Sequence, residues 1–244
     1  MKARAPKRRA GGDARGLARV REEVALACRI LAAHGQGDNI WGHVSARDPG
    51  GRGLWMKPSG MGLEEITPAD LLLIDFDGQV LAGRHPRHVE YPIHAELLRA
   101  RPELQAVVHT HPLAATPFSA LRVPLRPVSH EACLFVPPDV PRFTETSDLI
   151  VTAELGLAVA RRMGSTWALL LENHGIVTAG VSVGDACIRA LLLDKAAGMQ
   201  LLTAGREQVW TRDDEALGKR EHIYHPRAMA SLWAYLGRKL ERTR

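Results

Sequence analysis

Three separate stretches of this chain place histidines and an acidic residue where they can bind one divalent metal ion. They are residues 88–94, 107–112 and 171–175. The middle stretch constrains the fold most, because alternate residues of a β-strand point to the same face of a sheet. His109 and His111 therefore project together, and two buried imidazoles side by side each need a partner. This arrangement favours metal ligation over a purely structural role.

The other two stretches supply the remaining ligands. Glu90 lies at a predicted helix start and His94 follows four residues later, so both can face one site. His174 lies in a turn between two apolar segments, where a polar loop tip favours function over packing. Three imidazoles and one carboxylate complete a four-ligand site, which leaves His94 as a supporting or core residue. The predicted metal ligands are Glu90, His109, His111 and His174.

One ion is expected per subunit. This donor set suits Zn²⁺ or Mn²⁺, and Fe²⁺ or Co²⁺ would also bind.

The basic charge of the chain is concentrated at one end. Residues 1–16 carry six basic side chains and one acidic one. Removing them from the totals of 32 basic and 27 acidic residues leaves 26 of each. We therefore expect residues 1–16 to be a disordered, solubilising tail, and residues 17–244 to form one domain. Since such short basic runs are weak signals, no nucleic-acid partner is predicted.

Three cysteines, Cys28, Cys133 and Cys187, lack the spacing of a metal site. They are expected to be buried thiols in the reducing cytoplasm. No apolar run reaches the roughly 18 residues of a membrane span, so no membrane association is predicted.

Hydrophobic periodicity and turn residues predict the main elements. The expected helices are residues 16–34, a helix starting at Thr67-Pro68, residues 92–100, a helix from Ser147 to Met163, and residues 183–204 capped by Ser182. The expected strands are short ones within residues 35–65, residues 71–76 and 79–82 around an Asp77-Gly78 hairpin turn, and residues 106–111, 167–171 and 176–179. Because hairpins and helices alternate irregularly, we predict a mixed or antiparallel sheet covered by helices.

Six short motifs together resemble the class II aldolase/adducin family. The resemblance extends from about Leu17 to Ala204. The motifs are Gly42-His43-Val44-Ser45-Ala46-Arg47, Lys57-Pro58-Ser59-Gly60, Glu90 with His94, Arg101-Pro102-Glu103, Val108-His109-Thr110-His111-Pro112 and Asn173-His174-Gly175. The resemblance implies an α/β/α sandwich around a largely antiparallel sheet. It also implies a homotetramer with sites at subunit interfaces, and a metal held by the four ligands predicted above.

The chain departs from the sugar-phosphate members of that family where they bind phosphate. His43 stands in place of an Asn, Lys57 in place of a Thr, and His88-Val89 in place of paired serines, while Ser59 and Gly60 remain. The predicted substrate-binding residues are therefore His43, Lys57, Ser59, Gly60 and His88. The alternatives are that the two histidines only bond to neighbouring loops and that Lys57 is simply solvated.

The Gly-His-Val-Ser-Ala-Arg variant is similar to a branch of the family that decarboxylates hydroxylated aromatic dicarboxylates. The resemblance implies a carbon–carbon lyase, a carboxy-lyase rather than an aldehyde-lyase, that acts on an aromatic carboxylate. A divalent ion stabilises the carbanion left by CO₂ loss as a Lewis acid. The carbanion needs a proton, and His43, His88, Glu90 or a residue of an adjacent subunit can supply it.

Two other functions stay open from the sequence. One is an aldolase or epimerase acting on a sugar or sugar phosphate, which Ser59-Gly60 keeps in consideration. The other is an adducin-like interaction module without activity. The segment Glu221 to His225 is expected to be an ordinary surface loop, with the alternative that it covers a site.

Overall fold

An eight-stranded sheet forms the middle layer of the computed structural model, which describes residues 10–242 and the side chains from residue 15 onward. The strands are β1 (His43–Arg47), β2 (Leu54–Met56), β3 (Leu72–Ile74), β4 (Val80–Ala82), β5 (Ala106–Thr110), β6 (Arg142–Phe143), β7 (Ala168–Leu171) and β8 (Gly175–Gly180). Their spatial order is β4-β3-β2-β1-β5-β8-β7-β6. Neighbouring strands are antiparallel except for the parallel pair β6 and β7.

Eight α-helices surround the sheet in the described part of the chain. They are α1 (Ala10–Leu31), α2 (Tyr91–Ala100), α3 (Ala115–Ser119), α4 (His130–Cys133), α5 (Ala153–Met163), α6 (Val183–Thr203), α7 (Asp213–Ile223) and α8 (Pro226–Arg242). A distorted turn at Ala32–Gln36 follows α1 and ends the helix, because Gly35 adopts a positive φ of 76°.

Alternating residues of the central strands pack into two separate cores, one on each face of the sheet. Val108 belongs to the core formed with α1, α6 and α8. Its neighbour Val107 belongs to the core formed with α2 and α5. The same alternation separates Leu170 from Leu169, as expected for a sheet buried on both faces. The predicted three-layer α/β/α sandwich around a mostly antiparallel sheet is therefore confirmed.

Several local predictions are also confirmed. The β3–β4 connection turns at Gly78, whose φ is 86°. Helix α6 begins after Ser182, whose side chain accepts a hydrogen bond from the Asp185 backbone N–H. Cys28, Cys133 and Cys187 are unpaired and buried.

Two predicted helix starts are wrong. After Thr67-Pro68 the chain makes only a turn, in which the Thr67 N–H donates to the Asp70 carboxylate at 3.0 Å, and the chain then enters β3. Ser147 does not cap a helix, because α5 begins at Ala153 with Thr152 as its cap. In both places a local helix signal is overridden by the sheet or by a neighbouring loop.

Two predictions, for the segment Glu221 to His225 and for part of the N-terminal tail, differ from the structure. Glu221 to Ile223 form the last turn of α7 rather than a surface loop. Tyr224 lines a groove with Trp167 and Trp233 that is separate from the histidine-rich region. Of the predicted tail, residues 1–9 lie outside the described residues, while Ala10–Gly16 belong to α1. Among residues 10–242, no helix is long and apolar enough to cross a membrane.

A tight contact between α2 and α5 gives the first prediction. A Cβ added at Gly156 would lie 2.5 Å from the Pro92 carbonyl oxygen. We expect Gly156→Ala to lower the free energy of unfolding by roughly 1–2 kcal/mol, because overpacking outweighs the usual helix gain of alanine over glycine. Urea denaturation measures this. Gly218→Ala in α7, where no atom lies within 4 Å of the added Cβ, is the matched control and should be neutral or stabilising.

Candidate metal centre

The central strand pair places two histidines side by side. His43 of β1 lies opposite His109 of β5 in the antiparallel register, and both side chains are fully buried. His109 points to the same face of the sheet as Val107, which packs against α2 and α5. Helix α2 begins on that face with Glu90 as the residue before its first turn. The strand therefore delivers an imidazole to the start of the helix that carries the acid.

Hydrogen bonds at the outer edge of two imidazoles set which nitrogen faces inward. The His109 Nδ1–H donates to the Ile176 carbonyl oxygen at 2.9 Å. The His111 Nδ1–H donates to the Asp38 carboxylate at 3.0 Å. In neutral rings both Nε2 atoms then carry lone pairs, and these two atoms are 3.0 Å apart. Two facing lone pairs repel, so the pair fits a shared cation rather than an empty contact.

Glu90 and His174 complete the same cluster. One Glu90 carboxylate oxygen, Oε2, lies 3.7 Å from His109 Nε2, and the other, Oε1, lies 3.6 Å from His174 Nε2. Ligands about 2.1 Å from a tetrahedral ion lie about 3.4 Å from each other. The ligand atoms of His109, His111 and His174 all lie within 4.8 Å of one another. The four predicted ligands are thus brought together with separations that suit one ion.

Backbone geometry explains how His174 reaches this cluster. Asn173 adopts a left-handed φ of 58° in the turn between β7 and β8. A Cβ at the next glycine, Gly175, would lie 2.5 Å from the Thr110 carbonyl oxygen of β5. Only glycine allows the turn to approach β5 this closely, and His174 is carried between these two positions.

Burial sets the protonation tendencies of the cluster. It lowers the pKa of His109 well below its usual value and the pKa of His174 to about 4. Burial also raises the pKa of the Glu90 carboxyl group. The Ile150 N–H donates to Oε1 at 2.9 Å, and this hydrogen bond lowers the same pKa. Neutral imidazole is the form that binds a metal, so the buried environment favours the ligand state of these histidines.

A second group of side chains shares Glu90. His43 Nε2 lies 3.6 Å from Glu90 Oε2, and the His43 and His88 rings lie 4.0 Å apart between centroids. His43, His88 and Glu90 are all buried, and their ligand atoms also lie within 4.8 Å of one another. Within the described residues the carboxylate of Glu90 therefore stands between two sets of imidazoles.

An open cleft of about 430 Å³ leads to this region. Its lining includes two predicted substrate residues, Ser59 and His88. Gly60 forms a turn beside Ser59 with a φ of 80°. The full lining is Asp38, Ile40, Trp41, Ser59, His88, Val89, Glu90, His111, Ser147, Asp148, Leu149, Asn173 and His174.

Two predicted substrate residues, His43 and Lys57, are fully buried and are not part of the cleft lining. The Lys57 ammonium group donates to the carbonyl oxygens of Ile40 at 2.8 Å and Pro58 at 3.3 Å. Burial lowers the pKa of this side chain to about 8. The alternative that Lys57 is simply solvated is wrong, because its side chain is fully buried. It bonds instead to the Ile40 carbonyl in the loop that leads to Trp41.

Three residues around the site were not singled out from the sequence. Asp38 orients His111, Asp148 lines the cleft, and Trp41 exposes 51% of its surface at the rim. Asp38 and His111 are 73 residues apart, so no local spacing links them. A polar Gly-Asp-Asn turn before β1 was the one available signal for Asp38.

The fold and the donor set define an α/β/α protein in which β5 and the chain after it, the β7–β8 turn and the start of α2 bring together histidines and a glutamate able to hold a divalent ion. The family described as Class II Aldolase and Adducin N-terminal domain matches residues 22–201. The chain belongs to this family, and the resemblance predicted from its motifs is confirmed.

Relatives with decarboxylase names are among the similar proteins. The 3,4-dihydroxyphthalate decarboxylase of Arthrobacter keyseri is 33% identical over 198 residues, which cover 74% of this chain and 77% of that protein. Decarboxylase NovR of Streptomyces niveus is 34% identical over 203 residues, which cover 82% of this chain and 71% of that protein. These similarities support the predicted decarboxylase branch.

A solved structure named as an aldolase has the same fold. L-fuculose 1-phosphate aldolase from Glaciozyma antarctica PI12 superimposes with a TM-score of 0.85 at 26% identity. The match covers 98% of this chain and 94% of that one. Aldolases and decarboxylases are therefore both similar to this chain.

The Asp38–His111 contact gives the second prediction. We expect Asp38→Asn to weaken Zn²⁺ or Mn²⁺ binding by roughly 10–100-fold, because a partner that orients a ligating histidine contributes about that much to affinity. Competition against a chromophoric chelator measures the dissociation constant. Asp75→Asn, in the β3–β4 turn, is the control. Equal affinities for both variants and the unmodified protein would show that Asp38 does not act on a ligand.

Proposed function

We propose that the chain is a divalent-metal-dependent decarboxylase of a hydroxylated aromatic carboxylate, and hence a carbon–carbon lyase. The observation that carries the proposal is that His109, His111 and His174 lie together beside the cleft, with Glu90 within 3.7 Å of His109 and 3.6 Å of His174. The lone pairs of His109 and His111 are turned toward each other. One Zn²⁺ or Mn²⁺ per subunit suits these donors, with Fe²⁺ and Co²⁺ as alternatives. When bound, the ion supplies Lewis-acid stabilisation of the negative charge that builds up as CO₂ leaves.

The side chains that line the cleft suit a planar, anionic substrate. Ile40 and Trp41 form an apolar wall suited to an aromatic ring. His88 and Ser59 lie in the same lining and offer hydrogen bonds to a carboxylate. The buried ammonium of Lys57 is bonded to backbone carbonyls, so the substrate role we predicted for it becomes indirect, through the position of Trp41.

His88 is the proton donor that we propose. Burial lowers its pKa to about 4, so the ring is neutral. Its Nδ1 accepts the Glu90 backbone N–H at 3.3 Å, which leaves the ring hydrogen on Nε2. Of the three candidates, His88 and Glu90 line the cleft while His43 does not. As Nε2–H gives its proton to the carbon that loses CO₂, the ring takes a proton from water in the open cleft, which restores the neutral imidazole.

The third prediction tests this activity directly. The purified protein should release CO₂ from a dihydroxyphthalate or a hydroxypyridine dicarboxylate, and a chelator should abolish the release until Zn²⁺ or Mn²⁺ is restored. His174→Ala should lower kcat/KM by at least about a hundred-fold, because a Lewis acid contributes several kcal/mol. His225→Ala, outside the cleft, should leave the rate unchanged. The proposal is wrong if ketose phosphates are cleaved rapidly and no aromatic acid is turned over.

An aldolase or epimerase is the second candidate function. The similarity to L-fuculose 1-phosphate aldolase and the presence of Ser59 in the cleft favour it. Its metal chemistry would use the same four side chains. Ketose phosphates included in the same assay panel separate the two functions.

An adducin-like module without activity ranks third. A module of that kind has no need of four convergent ligands, and this chain has them. Metal analysis of the purified protein discriminates here, since protein that binds no divalent ion would favour the module.

We also propose a cytoplasmic homotetramer with the clefts at subunit interfaces. The unpaired cysteines suit a reducing compartment. The rim of the cleft exposes large apolar side chains, which marks an association surface. They are Ile40, Trp41, Val89 and Leu149 in the lining, together with Leu113 and Val151, which follow the lining residues His111 and Leu149 in the chain; each is between 45% and 89% exposed.

The fourth prediction concerns this surface. We expect Leu113→Asp to shift the protein toward smaller species in analytical ultracentrifugation, because a carboxylate would be buried against an apolar partner. Leu113 is 89% exposed and lies two residues after His111. Val209→Asp is the matched control, since Val209 is 90% exposed and, unlike Leu113, does not lie next to a cleft residue in the chain. A monomeric unmodified protein would contradict the proposed assembly.

A further inference from the structure

Three fully buried polar side chains form a hydrogen-bonded chain on the α2 side of the sheet. The Ser45 hydroxyl lies 2.7 Å from His94 Nδ1, and His94 Nε2 lies 2.6 Å from His43 Nδ1. Each of the three side chains is 0% exposed. The far end of the chain is His43 Nε2, a buried atom without a hydrogen-bond partner, which lies 3.6 Å from Glu90 Oε2.

The carboxylate at the Glu90 end favours one direction for the hydrogens of the chain. A carboxylate only accepts hydrogen bonds, so the His43 nitrogen that faces Glu90 is best satisfied as Nε2–H. His43 Nδ1 then accepts from His94 Nε2–H. His94 Nδ1 in turn accepts from the Ser45 hydroxyl, which is able to donate. Every hydrogen then points from Ser45 toward Glu90.

The buried surroundings are consistent with two neutral rings. Burial, followed by neighbouring histidines, lowers the pKa of His43 well below its usual value. Burial also lowers the pKa of His94 to about 3. A hydrogen bond with the Val107 backbone acts on the pKa of His94 in the opposite sense.

We propose that His94 and Ser45 are positioning residues that hold the His43 ring against Glu90 and so orient the Glu90 carboxylate for metal binding. His43 on this view contacts the carboxylate and not the substrate. The 3.6 Å separation is longer than a hydrogen bond, so the His43 N–H acts on the carboxylate at this distance by its charge distribution. The inference rests on the metal site of the proposed function, but not on the identity of the substrate.

Two variants of His94 separate its contacts. In His94→Gln the side-chain amide reaches the place of Nε2 and can bond to His43 in either direction. In His94→Asn the amide reaches only the place of Nδ1, so the contact with Ser45 is kept and the contact with His43 is lost. We expect His94→Asn to weaken Zn²⁺ and Mn²⁺ binding by roughly 10–100-fold, and His94→Gln to restore most of the affinity.

The readout is the dissociation constant of the metal-free protein for each ion, from chelator competition. Ser45→Ala keeps both imidazoles and should weaken binding less than His94→Asn. His34→Asn, in the turn after α1 where the His34 ring bonds to the Ile30 carbonyl, is the control for loss of a histidine contact elsewhere. Thermal unfolding of each variant confirms that the compared proteins are folded. In the loaded enzyme, His94→Asn should lower kcat with little change in KM.

Three results would overturn the inference. One is equal metal affinity for the Gln and Asn variants. Another is a stoichiometry of two ions per chain, which would place a second ion between His43, His88 and Glu90. A third is a long-range ¹H–¹⁵N spectrum of the metal-free protein that shows the His43 ring protonated on Nδ1. Failure of the unmodified protein to decarboxylate any aromatic acid would count against the proposed function alone, since metal affinities do not depend on the substrate.

Discussion

The antiparallel pairing of β1 with β5 is the contact on which the rest of the site depends. It places His43 opposite His109 in the middle of an eight-stranded sheet and directs both imidazoles to the α2 face. A one-residue slip in this register would turn His109 into the opposite core, beside α1 and α6. Because Val44, Val107 and Val108 fill the two cores on either side, the register is held by apolar packing, and the histidines follow from it.

Buried imidazoles need partners, and this requirement organises the surroundings. The Ile176 carbonyl and the Asp38 carboxylate each hold one ring by Nδ1. His94 of helix α2 also holds the His43 ring at Nδ1, but as the donor, so that His43 Nε2–H faces Glu90. The groups left over at the centre are the Nε2 atoms of His109 and His111 and the Glu90 carboxylate. A divalent ion satisfies these buried groups better than their contacts with one another do. The family relationship and the local hydrogen bonding thus lead to the same kind of site by separate routes.

The successes and errors of sequence interpretation have a common physical basis. The His-x-His pair was predictable because strand alternation is a local rule. The helix starts at Thr67 and Ser147 were wrong because the signal there was local too, while distant partners bind the chain. At Thr67, Arg21 and Arg29 of α1 donate to the carbonyl oxygens of Pro68 and Ile66 on either side. Residues near Ser147 line the cleft, and the backbone of Ile150 donates to Glu90 sixty positions earlier in the chain. Lys57 was ambiguous for the same reason, since its burial depends on the carbonyl of Ile40.

The sequence by itself determined the sandwich class of the fold, the family and the set of residues able to bind a metal. Periodicity, turn residues and short motifs carry that information because they depend on neighbours in the chain. Only the tertiary structure decided how those residues are used. It buried His43 and Lys57 away from the cleft, placed His88 and Trp41 in the cleft lining, paired Asp38 with His111, and linked Ser45 to His94. Each of these contacts joins positions far apart in the chain, so it depends on how the helices and strands pack rather than on any local pattern.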